Sequence, residues 1–138
     1  MAKTIAVVGA LDTKGTDFAF VKEAIERRGH RALVINTSVV GKPAFTPDIS
    51  AAQVATAGGI PLRELQKKAD KALAMATMTR GIAVVVRRLH AQGKIHGVLS
   101  MGGGAGTAIG TAARRTLPVG FPKLMVSTWA SGATSATT

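Results

Sequence analysis

The stretch TIAVVGALDTKGTDFAFVKEAIERRGHRALVI, residues 4–35, decides the fold. Thr4–Val8 is a short β-branched apolar run closed by Gly9, the pattern of a strand buried on both faces. LDTKG reads as the loop that follows. A helix is then expected from about Thr16 to Arg28, because Phe18, Val21 and Ile25 recur at three- and four-residue steps. Thr16 is its expected N-cap and Gly29 its C-cap. Ala32–Ile35 is the second strand. Strand, helix and strand within about thirty residues make a right-handed βαβ unit.

Downstream, residues 37–50 form an irregular connection containing Gly41, Pro43 and Pro47. Ser50 caps a short helix to about Ala57, which Gly58-Gly59 ends. Pro61 suits the first turn of a longer helix that reaches His90. Its stripe is Leu62, Leu65, Ala69, Ala72, Ala76, Thr79, Ala83 and Val86. Gly81, costing about 1 kcal/mol in a helix interior, is where this stretch would split. Gly97–Met101 is the third strand. A glycine-rich segment and a helix over Thr107–Arg115 follow, then a fourth strand at Lys123–Thr128. Alternating strands and helices imply an α/β fold: a Rossmann-like, doubly wound parallel sheet of about four strands, order 2-1-3-4. Residues 1–132 would form this unit and 133–138 a frayed tail.

The chain has 138 residues, enough for one domain, and 46% of them are hydrophobic, so a packed core is expected. Cysteine is absent, which excludes disulfides, thiolate nucleophiles and sulfur-based zinc sites. Eighteen Lys and Arg oppose seven Asp and Glu, for a net charge of +11. Residues 71–138 hold eight basic side chains and no acid. No carboxylate pair can come from that half. Aromatics are 4% with no Tyr, which argues against base-stacking platforms. No apolar run approaches the roughly 18 residues of a membrane span. A cytoplasmic location is expected.

In the 2-1-3-4 order, LDTKG, GGGAGT and STWASG converge at the carboxyl edge of the sheet. The segment SMGGGAGTAIG lets successive N–H groups and the next helix cradle an anion, with Thr107 adding a hydroxyl. It lacks the lysine of a Walker A loop. It contains GxGxxxG, but no acid follows to grip a ribose, which disfavours NAD. At the other lip, Asp12 can accept from ribose hydroxyls or hold Mg²⁺ through water. Thr13 can donate to an oxyanion and Lys14 can place a point charge on phosphate. Ser127, Thr128, Ser131 and Gly132 line the third loop beside Trp129. A Ser–His arrangement fails, because His30, His90 and His96 belong at the opposite, amino end of the sheet.

The combination of LDTKG, PDIS, GGGAGT and PKLMVSTWASG, in that order over about residues 4–132, resembles the ATP-binding domain family named after the tomato mosaic virus resistance protein. That resemblance implies a Rossmann-like module for ATP, placed first in a longer two-module chain; Mg²⁺ enters only through the Asp12 reading above. It carries over Leu11, Asp12, Thr13 and Lys14; Gly102, Gly103, Gly104, Gly106 and Thr107; and Ser127, Thr128, Ser131 and Gly132. It assigns no catalytic residue and no metal ligand. Ala133 stands where the family continues into an acidic residue, so the chain looks like the first subdomain alone.

Two other classes stay open beside the nucleotide reading. One is an enzyme acting on a phosphorylated small molecule, with Asp12 and Lys14 as its groups. The other is a basic interaction module for RNA or an acidic protein, built on clusters such as Arg27-Arg28, Lys67-Lys68-Lys71, Arg87-Arg88 and Arg114-Arg115. A homodimer through the 61–90 helical region is also expected, since a small-residue stripe lets two helices approach closely.

Overall fold

The computed structural model describes residues 3–9, 11–39, 46–102, 115, 123–127 and 135–137, with backbone alone at 11–17, 101–102, 123–127 and 135–137. In chain order these residues form β1 (Thr4–Gly9), α1 (Leu11–Arg27), β2 (Arg31–Asn36), α2 (Ala51–Ala57), α3 (Leu62–Lys68), α4 (Lys71–Ala91), β3 (Gly97–Gly102), β4 (Lys123–Ser127) and β5 (Ser135–Thr137). The sheet order is β2-β1-β3-β4-β5. β1 pairs in parallel with β2 and β3, from Thr4↔Arg31 to Gly9↔Asn36 and from Ile5↔Gly97 to Val8↔Ser100. The expected 2-1-3 order is therefore present. β4 lies parallel to β3. Residues 135–137, read from sequence as part of a frayed tail, instead pair antiparallel with β4.

Side chains alternate across β1, so its apolar run serves two cores. Ala6 and Val8 face α2 and α4, joined there by Ile35, Val54, Ala55, Ile82, Val86 and Val98. Val7 faces α1, with Phe18, Ala32 and Val34. Helices thus cover both faces of the central strands, as a doubly wound sheet requires.

The helix boundaries depart from the sequence reading in three places. First, α1 begins at Leu11 and not at Thr16, so LDTKG forms its opening turns. Gly15 and Thr16 read as punctuation, yet a glycine inside a helix costs only about 1 kcal/mol and packing of the apolar face overrides it. The far end follows expectation. Gly29 takes φ 81°, with Gly29 N donating to Glu26 O and His30 N to Ile25 O, a Schellman closure.

Second, the long helix expected from Pro61 to His90 breaks at Ala69–Asp70 and not at Gly81. Ala69 takes a left-handed φ of 51°, and the Asp70 carboxylate accepts from Leu73 N at 3.1 Å to start α4. Pro61 is itself the N-cap of α3. The break resets the helical phase, so the stripe read across it does not share one face. Of that stripe only Leu65 and Val86 are buried, while Ala69, Ala72 and Ala76 are exposed. Third, the face that α4 does bury is Thr77, Met78, Gly81, Ile82, Val85, Val86 and Leu89.

Ser50 and Gln53 form the expected cap of α2: Ser50 N donates to Gln53 Oε1 at 2.8 Å, and Gln53 N to Ser50 Oγ at 3.2 Å. α2 then crosses α4 with backbone almost touching backbone. A Cβ on Gly81 would overlap the Val54 carbonyl, and one on Gly58 would overlap the Thr77 carbonyl. Arg80 spans the crossing, donating from Nη1 to Gly58 O at 3.0 Å. Gly81 is therefore a packing residue. Helix propensity alone predicts that Gly81→Ala stabilises by about 1 kcal/mol. The crossing reverses the sign, and a net loss of about 1–3 kcal/mol is expected in urea unfolding at unchanged m. A gain in stability would mean that the helices do not meet there.

Candidate functional site

β2 and β3 lie on opposite sides of β1, so the chain leaves β1 in one direction and the sheet continues in the other. That reversal opens a crevice beyond the carboxyl ends of β1 and β3. The register places the strand ends Asn36, Gly9, Gly102 and Ser127 along this edge: Gly9 is opposite Asn36, and Gly102 opposite Ser127. Four adjacent strands at about 4.8 Å spacing give it a width of roughly 15 Å.

Of the residues expected to form the site, Leu11, Asp12, Thr13 and Lys14 lie in the first turn of α1 and not in a free loop. The turn starts two residues beyond the end of β1. Its first N–H groups have no acceptor within the helix, and the helix dipole is positive there. Gly102 ends β3 and Ser127 ends β4, and the two form one register pair. Gly103, Gly104, Gly106, Thr107, Thr128, Ser131 and Gly132 lie outside the described residues, as does Trp129.

Sequence reading overlooked the end of β2. Asn36 is 4% exposed and Thr37 5%. Asn36 Oδ1 accepts from both Ser38 N, at 3.1 Å, and Ser38 Oγ, at 2.7 Å, while Thr37 N donates to Gly9 O at 2.9 Å. A buried, neutral amide thus occupies the strand end where dinucleotide folds place a ribose-gripping carboxylate. The available signal was the polar run Asn-Thr-Ser directly after an apolar strand. Ser100, one of the two serines weighed for the rejected Ser–His arrangement, is fully buried in β3.

Beyond β2, the PDIS segment covers the open edge of the sheet. Val34 N donates to Asp48 Oδ2 at 2.7 Å, Ile49 N to Val34 O, and Asn36 N to Ile49 O. Asp48 is thereby committed to holding the backbone beside the site. The histidines lie where the sequence placed them. His30 Nδ1 accepts from Lys3 N at 3.1 Å and His96 Nδ1 from Thr4 N at 3.0 Å, both at the amino end of the sheet. Among the described residues no three His, Asp or Glu side chains come together as a metal-binding set. Nor is any helix among them long and apolar enough to cross a membrane.

Residues 3–138 match the model of the uncharacterised protein family UPF0261, N-terminal domain. A UPF0261 protein of Clostridium tetani is 46% identical over 97% of this chain and 33% of its own length. A UPF0261 protein of Brucella suis is 36% identical over 90% of this chain and 30% of its own length. The chain therefore spans about a third of the length of the curated relatives it matches. These matches correct the family assignment drawn from the motifs. The ToMV susceptible protein tm-1 of Solanum lycopersicum is 36% identical, but over only 44% of this chain and 8% of its own length. Shared loop motifs carried that resemblance, whereas the family model accounts for nearly the whole chain.

At the hand-over from β1 to α1, Gly9 packs directly against Phe18. A Cβ on Gly9 would overlap the ring of Phe18, which is fully buried. Gly9→Ala is expected to lose about 1–3 kcal/mol in urea unfolding. Phe18→Leu in the same chain should recover part of that loss, giving a favourable coupling of about 0.5 kcal/mol or more in a double-mutant cycle. Strict additivity would exclude the steric explanation.

Proposed function

The chain belongs to the UPF0261 family, as its N-terminal domain, and from that premise we propose that it is a nucleotide-binding module whose ligand is ATP. The observation that carries this reading is the start of α1 at Leu11, directly beyond the end of β1 at the β1/β3 switch point. An open helix N-terminus at that position favours a phosphate group. The glycine-rich segment that sets out from Gly102 offers further backbone N–H groups to the same anion, and Lys14 a cation. Asp12 would hold Mg²⁺ through water. Ser127, Thr128 and Ser131 supply hydroxyls from the neighbouring loop.

Asn36 at the end of β2 supports a phosphate-directed mononucleotide over a dinucleotide. Its oxygen already accepts two bonds from Ser38, and no carboxylate stands there to grip a ribose. The curated relatives are about three times longer than this chain, and what such a longer protein does is a separate proposal. Calorimetric titration with ATP and Mg²⁺ is expected to give a dissociation constant below about 1 mM, with NAD weaker. Gly104→Val obstructs close backbone approach and should weaken ATP by about tenfold or more. Absence of heat at millimolar ATP refutes the proposal, and unchanged binding by the variant puts the phosphates elsewhere.

A further inference from the structure

The opposite end of the sheet has a chemistry of its own. Three adjacent strands begin there, with Thr4 in register with Arg31 and Ile5 with Gly97. Two helices end there, α1 at Arg27 and α4 at Ala91. Lys3, Arg27, Arg28, Arg31, Arg87, Arg88 and Lys94 all lie at this pole, and all are exposed. Arg27 stands 3.8 Å from Glu23. The other six have no carboxylate partner among the described residues.

Cations in the last turn of a helix complement its dipole, and that accounts for Arg27, Arg28 and Arg88. It does not account for Lys3, Arg31 and Lys94, which flank strand starts. Arg31 N donates to Lys3 O at 2.8 Å, so two cationic residues sit on neighbouring strands. Like charges placed this way repel. A polyanion laid across the pole would relieve the repulsion.

The histidines add donors. Nδ1 of His30 and of His96 each accepts a backbone N–H, so the ring proton of the neutral form resides on Nε2. Each ring then offers its Nε2–H as a donor beside the cations.

We propose that this pole is a docking surface for the phosphate backbone of a nucleic-acid duplex. A protein partner would need an apolar or aromatic anchor. The one exposed large hydrophobic side chain among the described residues is Phe20, about two turns of α1 short of the pole. A membrane surface would need such an anchor as well. No Phe, Tyr or Trp is described at the pole, so bases have no large platform to stack on, and contacts run mainly to phosphate without regard to sequence. The surface is distinct from the nucleotide site: the six residues of β1 set the two edges of the sheet about 17 Å apart.

The test is fluorescence anisotropy of a labelled 20-base-pair DNA duplex with the chain, without ATP. Micromolar binding at 50 mM salt is expected, falling by roughly 10³ on going to 200 mM if six phosphates are contacted. The R28E/R31E/R88E variant should weaken binding by about tenfold or more at fixed salt, with an unchanged circular dichroism spectrum. Lys94→Glu alone, in the loop before β3, should lower affinity and flatten the salt slope by about one unit, which keeps the reading testable if the triple variant folds poorly. Reversal of Arg63, Lys67 and Lys68, on α3 at the far edge, should leave binding within about threefold. No binding at 50 mM salt, a flat salt response, or equal losses from the two triple variants overturns the proposal. So does displacement of the duplex by polyglutamate at equal charge concentration, which would assign the surface to acidic protein.

Discussion

Val7 and Val8 are neighbours on a strand that is hydrogen-bonded along both edges, and both are buried, facing opposite layers. A central strand of this kind leaves no surface for water, so each face must be covered by a helix. α1 covers one face through Phe18, and α2 with α4 covers the other through Val54, Ile82 and Val86. The order of the strands then decides where those helices begin and end. A parallel strand returns only after a crossover, so α1, between β1 and β2, and α4, leading into β3, run back along the sheet. The two ends of the molecule are consequently unlike.

At the carboxyl end, α1 begins directly beyond β1, and β3 and β4 end at the paired residues Gly102 and Ser127. At the amino end, helix carbonyls and unpaired cations gather. The dipole of α1 points its positive end at the first region and its negative end at the second. The chain's excess positive charge, +11 in all, is thus not spread evenly. Lys3, Arg28, Arg31, Arg87, Arg88 and Lys94 are concentrated away from the crevice. The Asp48 carboxylate accepts from Val34 N at the outer edge of β2.

Glycine has two distinct uses in this chain. Gly29 is needed for its left-handed backbone, and a reader of the sequence can see that from its place at the end of a helical pattern. Gly9, Gly58 and Gly81 are needed for absent volume, because a ring or a carbonyl occupies the space of a side chain. Nothing local distinguishes the second use. Gly81 accordingly read as a weak point in a helix, whereas it is the point where two helices lock.

The amino-acid sequence by itself determined the βαβ unit, the strands at residues 4–8, 32–35 and 97–101, the cap at Ser50 and the amino-end placement of the histidines. Each follows from a local rule: an unbroken apolar run for a strand buried on both faces, a side-chain oxygen matched to a free N–H, a histidine next to a strand start. The motifs also directed attention to the residues that set out from the right edge of the sheet. They did so without revealing that LDTKG is helical, and they suggested a family that the match over residues 3–138 replaced. The tertiary structure decided the start of α1, the break at Ala69–Asp70, the face that α4 buries, and the part Asn36 and Asp48 play at the end and edge of β2. Those depend on what lies across the core or on a neighbouring strand. Propensity differences of about 1 kcal/mol per residue are too small to resist several kcal/mol of burial, and only the packed chain shows which of the two prevailed.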